Sequence, residues 1–194
     1  MSLAGSAIAQ KAGLINTIDI WSTTLEPRWL LLAGATNPPE DVSISDRRTR
    51  DAEGDKSGAF LRGVAKDLAN MEDAIGGKLY NTIKDLYMTK GEALNKITNF
   101  FYHCQRGGFK PMLYYRGHGQ VGTGNWCFND GTISLEEILG LLPGCCYYPV
   151  IFCDTCYSGN WENVCLKKAI PGFECLSACP EFTTALFDVP SMHK

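Results

Sequence analysis

Three features of the sequence predict an α/β protein built on a mostly parallel sheet with helices on both faces. Short apolar runs at residues 29–33, 112–115 and 149–153 are four or five residues long and lead into glycine or loop-forming residues; such runs read as strands buried on both faces. Segments 59–75 and 90–102 carry apolar residues at spacings of three and four, the mark of one helix face. Runs and helical segments alternate along the chain, and right-handed crossovers in that pattern place helices on both sides of the sheet.

The first strand is expected at Trp29-Leu-Leu-Leu-Ala33, closed by Gly34. Residues 35–57 are polar, broken by Pro38-Pro39 and rich in charge from Asp46 to Asp51, so they read as an exposed loop. A helix follows with Phe60, Leu61, Val64, Leu68, Met71 and Ile75 inward, stopped by Gly76-Gly77. Residues 79–88 form the next strand candidate, and the helix from Lys90 buries Leu94, Ile97, Phe100 and Phe101. After Arg106-Gly107-Gly108 comes the strand at 112–115, then an Asp130-Gly131 turn with a short helix, the strand at 149–153, a helix at 163–169 and a last strand within 172–179. No internal repeat is visible.

With 194 residues and 45% hydrophobic content, the chain suffices for one sizeable core. We read residues 1–28 as an N-terminal extension and 29–194 as one domain. A net charge of −3 with mixed signs creates no basic field, which argues against nucleic acid as a partner. No apolar stretch of about 18 residues is present to span a membrane, and residues 1–13 lack the basic start and apolar core of a signal peptide. Nine cysteines, an odd number with several in apolar runs, fit reduced thiols and a cytoplasmic location. Cys153 and Cys156 form a Cys-x-x-Cys, but no second such pair completes a zinc set; Cys175 and Cys179 are expected on a strand, facing away from each other.

The chemistry concentrates beyond two of these strands. One leads into Arg116-Gly-His-Gly119, the other into Asp154-Thr-Cys-Tyr-Ser-Gly159. Ligands and catalytic groups of parallel sheets gather outside the strand carboxyl ends, so His118 and Cys156, 38 positions apart, are expected to face one another. A thiol must become a thiolate to attack a carbonyl, and an imidazole can exchange its proton near neutral pH. Gly117 and Gly119 allow close backbone approach, and the Gly119 and Cys156 N–H groups are the expected oxyanion donors. His103, at a helix end, reads as structural.

At these residues the chain resembles the caspase-like cysteine peptidases, and among them the metacaspase type, whose loops read Tyr-Ser-Gly-His-Gly and Asp-Ser-Cys-His-Ser-Gly. The segment from Asn129 to Leu139 resembles that family's Asp-Gly turn and short helix, and the likeness runs from about Arg28 to Glu181. It implies a caspase-like sheet and a cysteine endopeptidase acting on protein or peptide substrates, with Cys156 as nucleophile and His118 as general acid and base. It also implies that Asp154, and with it Glu181, lines a pocket for Arg or Lys beside the scissile bond; the alternative reading of Asp154 is an Asx turn residue capping the following helix. The resemblance implies further that the C-terminal small-subunit part is incomplete at Lys194, so that either the chain is shortened or a partner completes the domain. No cofactor or metal ligand set is read; calcium activation stays open, because no compact acidic loop with calcium-ligand spacing is visible.

Arg116 departs from the family pattern, which has a small hydroxyl residue there. A guanidinium at that position either favours the thiolate or closes the cleft by pairing with Asp154. Hence a second expectation stands beside the peptidase: a silent or autoinhibited caspase-like module acting through a protein partner. A third is a metal or redox protein based on its cysteines. For an active peptidase preferring basic residues, Arg47, Arg48, Arg50, Lys167 and Lys168 are expected as self-cleavage positions in exposed segments, while the Arg47 to Arg50 cluster reads alternatively as a solvated charge run.

Overall fold

A computed structural model describes residues 25–34, 56–144, 148–168 and 173–179. In chain order these hold β1 (Pro27–Ala33), α1 (Lys56–Ile75), a 3-10 turn (Gly76–Lys78), β2 (Leu79–Ile83), α2 (Lys90–Gly107), β3 (Lys110–Arg116), β4 (Trp126–Phe128), β5 (Gly131–Ile133), α3 (Leu135–Gly140), β6 (Val150–Asp154), α4 (Gly159–Lys168) and β7 (Glu174–Ser177). Five strands form one sheet in the order β2-β1-β3-β6-β7 with every pairing parallel, while β4 and β5 make a separate antiparallel hairpin.

Side-chain alternation along the strands divides the core in two. Trp29, Leu31, Met112, Tyr114, Val150 and Phe152 face one way and pack with Val64 and Leu68 of α1. Leu30, Leu32, Leu113, Tyr115, Ile151 and Cys153 face the other way, against Ile97, Phe100 and Phe101 of α2, Trp126 of the hairpin, Ile138 of α3 and Trp161 of α4. Both sheet faces are therefore covered by helices, and the α/β class read from the sequence holds. No described helix is long and apolar enough to cross a membrane.

Local chemistry sets the boundaries. Thr89 caps α2 through a capping box with Glu92, and Gly108 ends the helix in the left-handed region at φ 64°. Ser134 and Glu137 cap α3 in the same way. Asp130 ties the hairpin turn to the start of α2 by accepting the Lys90 N–H at 2.5 Å. Pro111 is tolerated inside β3 because β6 joins β3 only from Met112 onward, and the N–H that Pro111 lacks would face that side.

Several boundaries differ from the sequence reading. β1 begins at Pro27, whose pairing with Lys110 puts the expected 28/29 boundary inside the strand. The strand expected over 79–88 stops at Ile83, because Asp85 accepts the Tyr87 N–H at 2.9 Å and turns the chain. The helix after Cys156 starts at Gly159 rather than 163, so Lys167 and Lys168 lie in its last turn and not in a loop. β7 ends at Ser177, which leaves Cys179 beyond the strand instead of alternating with Cys175 along it. The loop containing Arg47, Arg48 and Arg50 lies outside the described residues, as does Glu181.

Candidate active site

The register of β3 and β6 brings the two motifs together. Arg116 pairs with Asp154 at the carboxyl ends of these adjacent parallel strands, and His118 and Cys156 each follow two positions later. The loops then touch main chain to main chain. A Cβ at Gly119 would overlap the Cys156 carbonyl oxygen and the Thr155 Oγ1, and one at Gly124 would overlap the Tyr157 carbonyl oxygen. Only glycine admits this approach, and Gly124 also has φ 71°.

The histidine loop is held from below. The Tyr115 hydroxyl lies 3.0 Å from the His118 carbonyl oxygen and 2.9 Å from that of Cys127, donating to one at a time, and accepts the Cys127 N–H at 3.0 Å. Burial pushes its ionisation well above the ordinary range, so the phenol remains a donor. The Tyr115 ring stacks on Trp126 at 4.5 Å between centroids, and Trp126 stacks on Trp161 at 5.0 Å. Gly34 and Gly117 lack side chains where this phenol sits, so Gly117 makes room for Tyr115 rather than for a substrate.

Gly119 forms an isolated antiparallel bridge with Trp126. The two bonds of that bridge run from Cys127 N–H to His118 O and from Gln120 N–H to Asn125 O, leaving the Gly119 N–H outside the ladder. That geometry leaves the group available as an oxyanion donor. On the nucleophile side, Tyr157 directly after Cys156 has φ 56°, a conformation that costs a non-glycine residue about 1–3 kcal/mol and is typical of functional turns. Cys156 itself is only 8% exposed, while His118 is half-buried.

Asp154 is engaged internally. Arg116 reaches one oxygen of its fully buried carboxyl at 2.5 Å, and the Tyr114 hydroxyl donates to the other at 3.0 Å. The same guanidinium meets Asp67 of α1 at 2.9 Å. Burial raises the Asp154 carboxyl above its usual value, against the opposing pull of Arg116 and Tyr114. Burial also works against the Arg116 charge, but Asp154, Tyr114 and Asp67 outweigh it and keep Arg116 cationic. Of the two roles read for Arg116, pairing with Asp154 is the one adopted. The expected substrate contact of Asp154 is thus taken up by a side chain of the same molecule, a pairing that costs less than a buried carboxylate alone.

Asp67 and Tyr114 were not singled out from the sequence, and for Cys179 nothing pointed to a place beside Cys156. Asp67 left a signal, a carboxylate within the apolar stripe between Val64, Leu68 and Met71. Tyr114 read as strand. A second thiol group sits deeper: Cys153 and Cys175 sulfurs are 3.9 Å apart. A hydrogen bond with Cys175, then burial, raises the Cys165 thiol, and contact with Cys153 does the same for Cys175, so both stay neutral. Among the described residues no group of three or more His, Cys, Asp or Glu is placed to hold a metal ion. Compared with protein-family models, with curated proteins and with solved structures, the chain gives no match.

Proposed function

We propose that the chain is a cysteine endopeptidase of caspase-like type, with Cys156 as nucleophile and His118 as general acid and base. The observation that carries this reading is the placement of both residues two positions beyond a register-paired pair of strand ends, with Gly119 pressed against the Cys156 main chain. In this reading His118 takes the thiol proton, the thiolate attacks the scissile carbonyl, and His118 returns the proton to the departing amine. The Gly119 and Cys156 N–H groups receive the oxyanion. Cleavage after Arg or Lys, with Asp154 and Glu181 lining the pocket, belongs to the same proposal and requires Arg116 to leave Asp154.

One specific contact favours a second reading, an autoinhibited or silent module that works through a protein partner. Arg116 already occupies Asp154, and a Cys156 that is 8% exposed admits a substrate only after the loops open. Cleavage of matched Arg, Lys, Asp and neutral peptides by wild type, Cys156→Ala and His118→Ala tests both readings. The peptidase reading expects cleavage by wild type, none by Cys156→Ala, and a loss of several orders of magnitude in His118→Ala. Absence of cleavage by a folded wild-type chain on every peptide supports the module instead.

A further inference from the structure

Cys156 has a second thiol beside it. Cys156 and Cys179 form a small buried cluster of their own, 8% and 7% exposed and partly covered by Tyr157. Neither is in a disulfide. The main chain of Cys179 is fixed to the nucleophile loop, since its N–H donates to the Ser158 hydroxyl at 3.1 Å and its carbonyl accepts that hydroxyl at 3.3 Å. One residue earlier, the Ala178 N–H donates to the Cys153 carbonyl at 3.0 Å. The segment leaving β7 therefore runs along the segment leaving β6, which brings the Cys179 and Cys156 side chains into one cluster. The cysteines of the deeper group, Cys153, Cys165 and Cys175, pack elsewhere, in the core on the α2 side of the sheet.

We infer that Cys156 and Cys179 constitute a reversible oxidation site, at which Cys179 resolves a sulfenic acid formed on Cys156. The co-reactant is a peroxide. The Cys156 thiolate attacks one peroxide oxygen, the O–O bond breaks, and after protonation water leaves Cys156 as the sulfenic acid when the oxidant is hydrogen peroxide. The Cys179 thiolate then attacks that sulfur, the S–O bond breaks, and a second water departs as the disulfide forms. Overall the two thiols lose two electrons and two protons, and one hydrogen peroxide becomes two waters; an external dithiol reverses the step. A resolving thiol at this place stops oxidation before the irreversible sulfinic stage. That the disulfide switches peptide cleavage off rests on the function proposed above; the cross-link itself does not.

The test is peptide mapping of the full chain after hydrogen peroxide treatment and thiol blocking, without and with dithiothreitol, in wild type and Cys179→Ser. The expected result is a Cys156–Cys179 cross-link in wild type that dithiothreitol returns to two thiols. In Cys179→Ser, Cys156 is expected as a dimedone-trapped sulfenic acid that proceeds to sulfinic acid and is not recovered. Oxidation of Cys156 beyond the sulfenic stage without a cross-link in wild type would overturn the inference. So would a cross-link of Cys175 to Cys153 or Cys165 with Cys156 still reduced. If Cys179→Ser does not fold, the wild-type map alone decides. A mapped cross-link in a chain that cleaves no peptide leaves the disulfide standing and removes the peptidase reading; cleavage without a cross-link does the reverse.

Discussion

Tyr115 and Arg116 are neighbours on β3, yet they secure the two faces of the sheet by different means. Tyr115 points to the hairpin side, where a neutral phenol between aromatic rings holds main-chain groups of the histidine loop. Arg116 points to the α1 side, where a cation is balanced by Asp154 and Asp67. The neutral arrangement loses less when one partner is removed, because the groups left behind are uncharged. The ionic one fails sharply, since each partner removed leaves a buried charge behind.

The largest effect is expected on the ionic side. Asp154→Ala removes the nearer carboxylate from Arg116 and should destabilise the fold by about 3–5 kcal/mol, the usual consequence of breaking a buried pair; denaturant unfolding of the variant measures it. Tyr115→Phe comes next. It deprives His118 O and Cys127 O of a donor and should cost about 1–3 kcal/mol, with a fall in any peptide cleavage larger than the loss of folded protein explains. A change below 0.5 kcal/mol, on the order seen at ordinary surface sites, would deny that the phenol anchors the loop. Smaller still is Ser134→Ala, which removes the α3 cap on the hairpin side and should cost about 1 kcal/mol in thermal or chemical unfolding.

The two sides should also respond oppositely to acid. Burial would raise the Glu137 carboxyl, but Lys90 at 2.6 Å and the Ser134 N–H hold it below its usual value. Its folded value being the lower one, its contribution is present above the unfolded value of about 4.3 and is lost as pH falls through the folded value. Asp154 is raised by burial, so its contribution is fully present below its unfolded value of about 3.9 and is lost as pH rises through the folded value. The stability gap between wild type and Glu137→Gln should therefore shrink on acidification, whereas the advantage of wild type over Asp154→Asn should grow. Parallel slopes in pH-dependent unfolding would contradict the assignment.

Much of this architecture is legible in sequence, for a physical reason. Strands buried on both faces, such as Leu30 to Ala33, need continuous apolar runs, and helices such as α2 need an apolar stripe bounded by a capping residue and a glycine. Those constraints are local. The Thr89 and Gly108 boundaries of α2 follow from them, and the rule that loops beyond adjacent parallel strands lie side by side anticipates the contact of the Gly119 and Cys156 main chains. What was not legible depends on distant partners: Asp67 is 49 positions from Arg116, and nothing in either segment announces that they meet. The same holds for Cys179, which is held near Cys156 by main-chain bonds to Ser158 and, from Ala178, to Cys153. The early end of β2 at Ile83 was missed because a single Asx turn at Asp85 outweighs the apolar character of Leu86, Tyr87 and Met88.

The central claim is that His118 and Cys156 act as a pair. Its most direct test needs no substrate: the rate of Cys156 alkylation by iodoacetamide, followed by peptide mapping across pH in wild type and His118→Ala. Pairing predicts that Cys156 in wild type reacts well below the ordinary thiol value of about 8.5, and that His118→Ala returns its profile to that value. Superimposable profiles for the two proteins would contradict the pairing, and with it the proposed nucleophile.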